Sequence, residues 1–282
     1  MNNFPHLYIN PLEKCNLRCK ICYTRKTTPI LTEDQILDFV KRYQKVCEIQ
    51  TITFCGGEVF TLPYFTDLVN VLTDQGIFVQ VITNASINRI IKIQNPNSVN
   101  IIVSIDGLKE YHDSNRGDGR FDQCITFLKD AKMRGFHTEV FSIVTKQNFQ
   151  QISQFEAYMY TQFPNIPIAY HPRKPISYVS NHPISNIIGR MKGFDFLDSN
   201  ELVQLMKTKK TFPPKDLGCY QISLASDGKV YGCCESYNPI GTISTPINRL
   251  IEVLKKRVDS TCFGCVQPSF MCGIKDIIRK LQ

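Results

Sequence analysis

Short apolar runs alternate with helical patterns over the first 170 residues of the chain. The apolar and β-branched runs predict six strands, at Leu7–Ile9, Thr51–Phe54, Phe78–Ile82, Ile101–Ile105, Glu139–Val144 and Ile168–Tyr170. Between them, apolar residues recur every three or four positions and predict helices near residues 36–47, 65–72, 125–133 and 152–163. Thr32 and Gln35 form a capping-box pattern before the first helix, and Gly76 follows the second.

Strands separated by helices predict right-handed crossovers and therefore a parallel sheet. Six such units predict the α/β class, with a partial, TIM-like (β/α)₆ barrel over residues 1–170. Parallel barrels carry their chemistry on the loops that follow the carboxyl ends of the strands. We therefore expect candidate site residues at those strand ends.

The rest of the chain divides into two parts. Residues 171–218 are punctuated by proline and serine, with one predicted helix around Glu201–Lys207, and either line a substrate channel or form an irregular linker. Residues 219–282 form a small cysteine-rich segment with a hairpin signal at Asp227–Gly228. Helical patterns follow at Ile247–Val258 and Ile274–Leu281.

Composition narrows the class of protein. The chain has 43% hydrophobic and 21% charged residues, as soluble globular proteins do. It shows neither an apolar run of membrane-spanning length nor a secretory signal, so we expect a cytoplasmic protein without a membrane partner. The net charge is +8, but its clusters at residues 207–210 and 255–257 are short and lack interleaved aromatics. This pattern favours solvated faces over a nucleic-acid surface.

Twelve cysteines are unusual for such a chain. A reducing compartment disfavours a disulfide framework, so their spacing indicates metal. Cys47 and Cys124 are exceptions because they occupy apolar positions of helical patterns, and Cys55 is also expected to serve in packing.

Cys15, Cys19 and Cys22 follow the first predicted strand directly. Thiolates are soft ligands suited to iron–sulfur clusters, and three of them can hold three irons of a [4Fe–4S] cube. The fourth iron then has no protein ligand, which is typical of a catalytic site. Zinc is the alternative, although it commonly takes four ligands and this loop offers three without a nearby histidine.

These cysteines and the motifs after them resemble the radical S-adenosylmethionine (SAM) superfamily. Its members carry CxxxCxxC followed by an aromatic residue, which here is Tyr23. The resemblance extends in order through the later strand ends, at Gly56-Gly57-Glu58, Thr83-Asn84, Ser104-Ile105-Asp106-Gly107 and Val144-Thr145. It covers roughly residues 7–170.

The resemblance implies a [4Fe–4S] cluster whose open iron chelates the amino and carboxylate groups of SAM. An electron from the cluster then cleaves SAM and yields a 5′-deoxyadenosyl radical that abstracts hydrogen from a substrate. It also implies a reductase such as flavodoxin or ferredoxin as electron donor.

The resemblance assigns the cofactor-binding residues as well. Gly56 and Gly57 let backbone approach a ligand, and Glu58 offers a carboxylate to an ammonium group. Ser104 and Asp106 are expected at the ribose or methionyl part of SAM, and Arg116, or alternatively Arg120, at its carboxylate. The remaining members of the predicted cofactor site are Tyr23, Thr83, Asn84 and Val144. His112 is expected to be a satisfied loop histidine.

A second group of cysteines resembles the SPASM and twitch extensions of radical SAM enzymes, which hold auxiliary [4Fe–4S] clusters. The CxxxC pair of a full SPASM extension is missing, so the one-cluster twitch is favoured. The predicted ligands are Cys219, Cys233, Cys262 and Cys265, with Cys272 or Cys234 as possible replacements. A structural zinc site is the alternative. Glu235 is a candidate for a catalytic base, and a surface role is the alternative.

An auxiliary cluster suits a net oxidation, because removal of a hydrogen atom and then an electron requires an acceptor. We therefore expect oxidative modification of a peptide or protein side chain. Only fourteen residues precede Cys15, so we expect no peptide-recognition domain in front of it. The alternatives are dehydrogenation of a small molecule, such as an amino sugar or cofactor precursor, and a zinc-stabilised interaction module without catalysis.

Overall fold

The computed structural model describes residues 4–22, 24, 26–173, 192–209, 222–232 and 238–257. Within this part of the chain, nine strands form a single sheet. They are β1 (His6–Leu12), β2 (Thr51–Gly56), β3 (Phe78–Thr83), β4 (Val99–Ser104), β5 (His137–Val144), β6 (Ile168–Pro172), β7 (Ile222–Leu224), β8 (Lys229–Tyr231) and β9 (Pro239–Thr242).

The first six strands wind in one direction. They lie in the sheet in their sequence order, every neighbouring pair is parallel, and β7 to β9 follow beyond β1. An unreversed order is the winding of a barrel, whereas a doubly wound sheet has a switch point where the order reverses. The predicted strands and the α/β barrel class are therefore confirmed, with strand bounds moved by at most three residues.

Helices lie between and after these strands along the chain. They are α1 (Glu33–Gln44), α2 (Phe65–Asp74), α3 (Lys109–Arg116), α4 (Arg120–Met133), the one-turn α5 (Lys146–Phe149), α6 (Ile152–Gln162), α7 (Ser199–Lys209) and α8 (Ile247–Arg257). The capping box predicted for α1 is present, since Thr32 accepts from the Gln35 amide and the Gln35 side chain accepts from the Thr32 amide. The apolar stripe of α1 is buried, and Cys47 and Cys124 lie in the core as predicted.

The connection from β3 to β4 differs from the prediction of six uniform strand–helix units. It contains two one-turn 3₁₀ helices, Ile90–Lys92 and Pro96–Ser98, and no α-helix. Asn70 of α2 fastens it by donating to the Lys92 carbonyl and accepting from the Gln94 amide. The asparagines and proline of this stretch favour such turns over a helix.

His112 was expected in a loop, but it lies on helix α3. The apolar period that normally reveals a helix is missing because the buried positions of α3 are His112 and Asn115. The polar identity of these two buried residues reflects their hydrogen bonds at the site described below.

The sheet continues past β1 into the C-terminal segment. β7 pairs parallel to β1, with Ile9 opposite Leu224, and the predicted hairpin joins β7 to β8 through a turn in which Gly228 has φ +77°. The boundaries at residues 170 and 218 stay predictions. No helix in the described ranges is long and apolar enough to cross a membrane.

Candidate functional site

Most of the predicted site residues that the structure describes lie at the carboxyl edge of the parallel strands. The Cys15–Cys22 loop follows β1, Gly56–Glu58 follow β2, and Thr83–Asn84 follow β3. Ser104 closes β4 and Val144 closes β5. The strand ends thus collect motifs that are more than 100 residues apart in sequence.

The cysteine loop carries three partly buried thiols, none of them in a disulfide. The Cys22 amide donates to the Cys19 carbonyl at 3.2 Å, and the Leu17 amide lies 3.4 Å from Cys15 Sγ. Burial raises the pKa of the Cys19 thiol, the neighbouring Cys22 and Cys15 raise it further, and Arg116 opposes them. A partly buried thiol on such a loop is suited to a cationic metal group, which stabilises its thiolate form.

The chemistry of the three thiols is suited to an iron–sulfur cluster. Among the described residues, no three His, Cys, Asp or Glu side chains lie close enough together to share one metal ion. The thiols of a [4Fe–4S] cube each bind a different iron and surround a larger volume. Three thiols on one loop would hold three of its irons.

The Gly56-Gly57-Glu58 turn packs against the base of the cysteine loop. The Gly57 amide donates to the Leu12 carbonyl at 2.8 Å, and the Glu58 amide to the Lys14 carbonyl at 3.2 Å. A Cβ atom on Gly57 would lie 1.9 Å from the Lys14 carbonyl oxygen, which no real contact permits. Sequence reasoning assigned these glycines to ligand approach, and here they allow close approach of backbone to backbone.

We predict that Gly57→Ala displaces the cysteine loop and lowers iron incorporation, because the added methyl overlaps the Lys14 carbonyl. Gly76→Ala is the control, since Gly76 has φ +78° but nothing within 4 Å of its Cβ position. Iron per chain and thermal stability are measured for both. Both variants should lose stability, and equal iron content in the two would contradict the packing role of Gly57.

Glu58 is fully buried beneath this turn. Its carboxylate accepts hydrogen bonds from Thr83 Oγ1 and the Asn84 amide, both at 2.8 Å, and from the Phe60 amide at 3.2 Å. Burial raises the pKa of the carboxyl group, and these donors oppose the rise. In the structure Glu58 therefore ties the end of β2 to the end of β3, and its contact with an ammonium group stays a prediction.

Asn84 extends this tie to the cysteine loop. Its Nδ2 lies 3.5 Å from Cys15 Sγ and 3.2 Å from Asn16 Oδ1, and its Oδ1 accepts from the Ser86 amide at 2.9 Å. Sequence reasoning placed Asn84 at the cofactor by resemblance alone. The structure adds a contact with a predicted cluster ligand.

Asp106 and Arg116 form a buried, bidentate ion pair. Arg116 Nε and Nη2 lie 2.6 and 3.0 Å from the two carboxylate oxygens. Asn115 Nδ2 and the Ile143 amide also donate to this carboxylate, at 2.7 and 3.3 Å. Burial alone would raise the pKa of Asp106, but the Arg116 guanidinium outweighs it and holds the pKa below its usual value. The predicted contacts of both residues with SAM stay predictions.

Asn115 links this pair to the cysteine loop, which sequence reasoning missed. Its carbonyl accepts from the Lys20 amide at 3.0 Å, and its Oδ1 accepts from the Ile21 amide at 3.2 Å. Helix α3 thus fastens the end of the loop at Lys20 and Ile21, whereas Asn84 contacts its beginning at Cys15 and Asn16. A buried asparagine in a polar helix leaves no periodic signal in the sequence.

His112 is fully buried and accepts from the Asp106 amide through Nδ1 at 3.2 Å. It is a satisfied histidine, as predicted, although it lies on a helix. Burial lowers its pKa to about 4. At pH values between about 4 and the ordinary 6.5, this histidine therefore binds more protons in the unfolded chain than in the folded protein.

We predict that stability falls as the pH decreases from about 6.5 toward 4, by up to about 3 kcal/mol from His112 alone. His112→Gln should reduce this slope, and His137→Gln, at an exposed position of β5, should leave it unchanged. Urea unfolding at several pH values measures the effect. A slope unaffected by His112→Gln would contradict the assignment.

Two further polar features at the strand ends were not predicted. Asn148 donates to the Ile143 and Asp106 carbonyls and so joins the ends of β4 and β5. Glu13, directly before Lys14, is buried, and neither its Oε2 atom nor the buried Oδ1 atom of the half-buried Asn10 has a hydrogen-bond partner among the described residues. Burial raises the pKa of Glu13 to about 7.

The other predicted site residues divide into two groups. Ser104 is nearly buried, and the Val144 side chain lies in the hydrophobic core. The remainder lie outside the described residues: Tyr23, Glu235 and all the predicted auxiliary ligands, which are Cys219, Cys233, Cys234, Cys262, Cys265 and Cys272.

Comparison with known proteins identifies the class. The family model described as the radical SAM superfamily matches residues 9–158, which is more than half of the 282 residues and runs from β1 into α6. The chain therefore belongs to the radical SAM superfamily, whose members are enzymes that use a [4Fe–4S] cluster and SAM.

Individual relatives match at lower identity. The S-adenosylmethionine-dependent nucleotide dehydratase of Flammeovirga pacifica is 26% identical over 168 residues, 53% of this chain and 57% of that protein. The antilisterial bacteriocin subtilosin biosynthesis protein AlbA of Bacillus subtilis is 28% identical over 162 residues, 54% of this chain and 36% of that protein. The match thus spans about half or less of these relatives.

Solved structures share the fold over nearly the whole chain. Native anSMEcpe with bound AdoMet and Cp18Cys peptide has a TM-score of 0.71 at 18% identity, covering 95% of this chain and 88% of that one. Streptococcus suis SuiB bound to its precursor peptide SuiA has a TM-score of 0.66 at 13% identity, covering 95% and 68%. At these identities the likeness concerns the fold.

Proposed function

We propose that this chain cleaves SAM reductively at a [4Fe–4S] cluster held by Cys15, Cys19 and Cys22, and that the resulting 5′-deoxyadenosyl radical drives oxidation of a peptide or protein side chain. The observation that carries the proposal is the attachment of the cysteine loop. The Gly57 turn after β2, Asn84 after β3 and Asn115 of α3 form hydrogen bonds to the loop that carries the three thiols.

The protein's own contribution is position and shielding. The fully paired Glu58 and Asp106 keep the strand ends rigid without exposing charge. The cysteine loop is thereby held while its sulfurs remain partly accessible. A preorganised site of this kind reduces the rearrangement needed when a ligand binds.

A peptide substrate is supported by the relatives and the solved structures to which this chain is similar. The names of AlbA and of the sporulation killing factor maturation protein SkfB refer to peptide products, and SuiB and anSMEcpe were solved with peptides bound. The second candidate is a small-molecule substrate, and the nucleotide dehydratase relative favours it. Incubation with candidate peptides and with small molecules, analysed by mass spectrometry, separates the two.

We further propose one auxiliary [4Fe–4S] cluster in the C-terminal segment, ligated by Cys219, Cys233, Cys262 and Cys265, or with Cys272 or Cys234 replacing one of these. The hairpin formed by β7 and β8 supports it, because β8 ends at Tyr231, two residues before Cys233. Such a cluster would accept the second electron of a net oxidation. A structural zinc at these cysteines is the competing result.

The proposed electron donor is a small acidic carrier of the flavodoxin or ferredoxin kind. Lys14, Arg18 and Lys20 are exposed on the cysteine loop, and no carboxylate of the described residues forms a salt bridge with them. Uncompensated cations beside the cluster would steer an acidic partner toward it.

We predict that replacing Lys14 and Lys20 together by glutamate slows flavodoxin-driven SAM cleavage by about tenfold at low salt. Lys129→Glu with Lys132→Glu, on exposed positions of α4, is the matched control. Dithionite bypasses docking, so rates with this reductant should be equal in all three proteins. Loss of the flavodoxin-driven rate in both variants would contradict a docking surface at the cysteine loop.

The proposal as a whole is tested on anaerobically reconstituted protein. We expect about eight irons per chain if both clusters form, and conversion of SAM into methionine and 5′-deoxyadenosine under dithionite. Colourless protein that retains zinc and leaves SAM intact would instead indicate an interaction module stabilised by zinc.

A further inference from the structure

Asn84 contacts one particular cysteine of the proposed cluster. Its Nδ2 lies 3.5 Å from Cys15 Sγ, and the side chain is 8% exposed. The orientation of the side-chain amide is defined by its Oδ1 and Nδ2 atoms, and Oδ1 accepts a hydrogen bond from the Ser86 amide at 2.9 Å. This acceptor bond fixes the amide so that its N–H groups face the cysteine loop, toward Cys15 and Asn16.

The backbone of Asn84 is fixed independently. Its amide donates to Glu58 Oε2 at 2.8 Å, and the preceding Thr83 hydroxyl donates to Glu58 Oε1 at 2.8 Å. The buried Glu58 therefore holds the residue whose side chain reaches Cys15. Two motifs that are 25 residues apart converge on the sulfur through this relay.

We infer that Asn84 is a positioning residue that sets the reduction potential of the cluster through its N–H···S hydrogen bond to Cys15. The inference rests on the proposed cluster at Cys15, Cys19 and Cys22. Hydrogen bonds to cysteine sulfurs are among the main determinants of iron–sulfur potentials. The amide dipole stabilises the additional negative charge of the reduced cluster more than it stabilises the oxidised one.

Among the described residues, two groups donate to Cys15 Sγ, and one of them is the Asn84 side chain. The other, the Leu17 amide at 3.4 Å, belongs to the backbone and remains when Asn84 is replaced. Loss of the Asn84 donor should therefore shift the midpoint potential to a more negative value without abolishing cluster binding. The remaining backbone donor and the three thiols keep the cluster in place.

The experiment is a redox titration of the reconstituted holoprotein without SAM, followed by the electron paramagnetic resonance signal of the reduced cluster. The variants are Asn84→Ala and the matched control Asn88→Ala. Asn88 lies four residues later in the same loop and donates to Asp130, away from the cysteines. Both substitutions are made in a background in which Cys262 and Cys265 are alanine, so that the signal of the proposed auxiliary cluster does not overlap with that of the first cluster.

We expect a more negative potential in Asn84→Ala and an unchanged one in Asn88→Ala. An unchanged potential in Asn84→Ala, or equal shifts in both variants, would overturn the inference. If wild-type protein binds no cluster at Cys15, Cys19 and Cys22, the proposed function fails instead, so the two failures are distinguishable.

A second measurement applies even if Asn84→Ala fails to assemble its cluster. The protein keeps Asn84 and is labelled with ¹⁵N-asparagine. Pulsed electron–nuclear spectroscopy should then show a weakly coupled side-chain nitrogen near the reduced cluster. The coupling should persist in Asn88→Ala. Its absence in protein that carries a reducible cluster would overturn the inference directly.

Discussion

Replacement of Cys15, Cys19 and Cys22 by alanine should leave a folded protein that binds about four fewer irons per chain and produces no 5′-deoxyadenosine above background. The loss should be complete because each thiol is expected to hold a different iron of one cube. Single replacements should have the same effect on SAM cleavage. The measurements are iron analysis and chromatographic detection of 5′-deoxyadenosine after dithionite reduction.

Cys47→Ala is the control for this experiment. Cys47 is buried in the core beside α1, so its replacement should cost some stability and leave iron content and SAM cleavage unchanged. Iron that remains in the triple variant reports on the C-terminal cysteines. SAM cleavage by the triple variant at the wild-type rate would remove the basis of the proposed function.

The strand framework was predictable because its physical signals are local. Parallel strands buried on both faces are apolar runs, as at Ile101–Val103, and the cap at Thr32 is determined by two residues three positions apart. The order of motifs along the chain then placed them at strand ends. These features do not depend on which distant residues eventually meet.

The polar connections of the site were not predictable for the opposite reason. Asn115 and His112 occupy buried helix positions that apolar residues normally fill, so the pattern concealed α3. The pairing of Asp106 with Arg116 and the contact of Asn84 with Cys15 join residues 10 and 69 positions apart. Such contacts follow from the tertiary fold, and a sequence shows only that suitable side chains are present.

Together these connections explain how the cysteine loop can be partly exposed and still ordered. It has few apolar anchors of its own, with Leu17 buried beneath it. The Gly57 turn, Asn84 and Asn115, which belong to three different segments of the chain, supply hydrogen bonds to it. Because Asn115 is itself bonded to Asp106, the ion pair below the loop contributes to the loop's position.

Asp106→Asn should destabilise the protein by about 3–5 kcal/mol, because it leaves the largely buried Arg116 without a counter-charge. The free energy of unfolding is measured by urea denaturation. Asp38→Asn is the control, since the Asp38–Arg42 pair is exposed and such pairs contribute about 0.3–0.5 kcal/mol. Iron release to a chelator should also be faster in Asp106→Asn, because Asn115 loses a charged acceptor.

The pH dependence of this effect has a definite sign. The folded pKa of Asp106 is below the ordinary 3.8, so its contribution is complete above that value and is lost as the pH falls through the lower folded pKa. The difference in the free energy of unfolding between wild type and Asp106→Asn should therefore be constant near neutral pH and shrink in strong acid.

Replacing Arg116 by methionine in the Asp106→Asn background should recover much of the lost stability, since the uncompensated charge is removed. If the double variant is as unstable as the sum of the two single variants, the ion pair does not act as a unit, and the attachment of the cysteine loop through Asn115 needs another explanation.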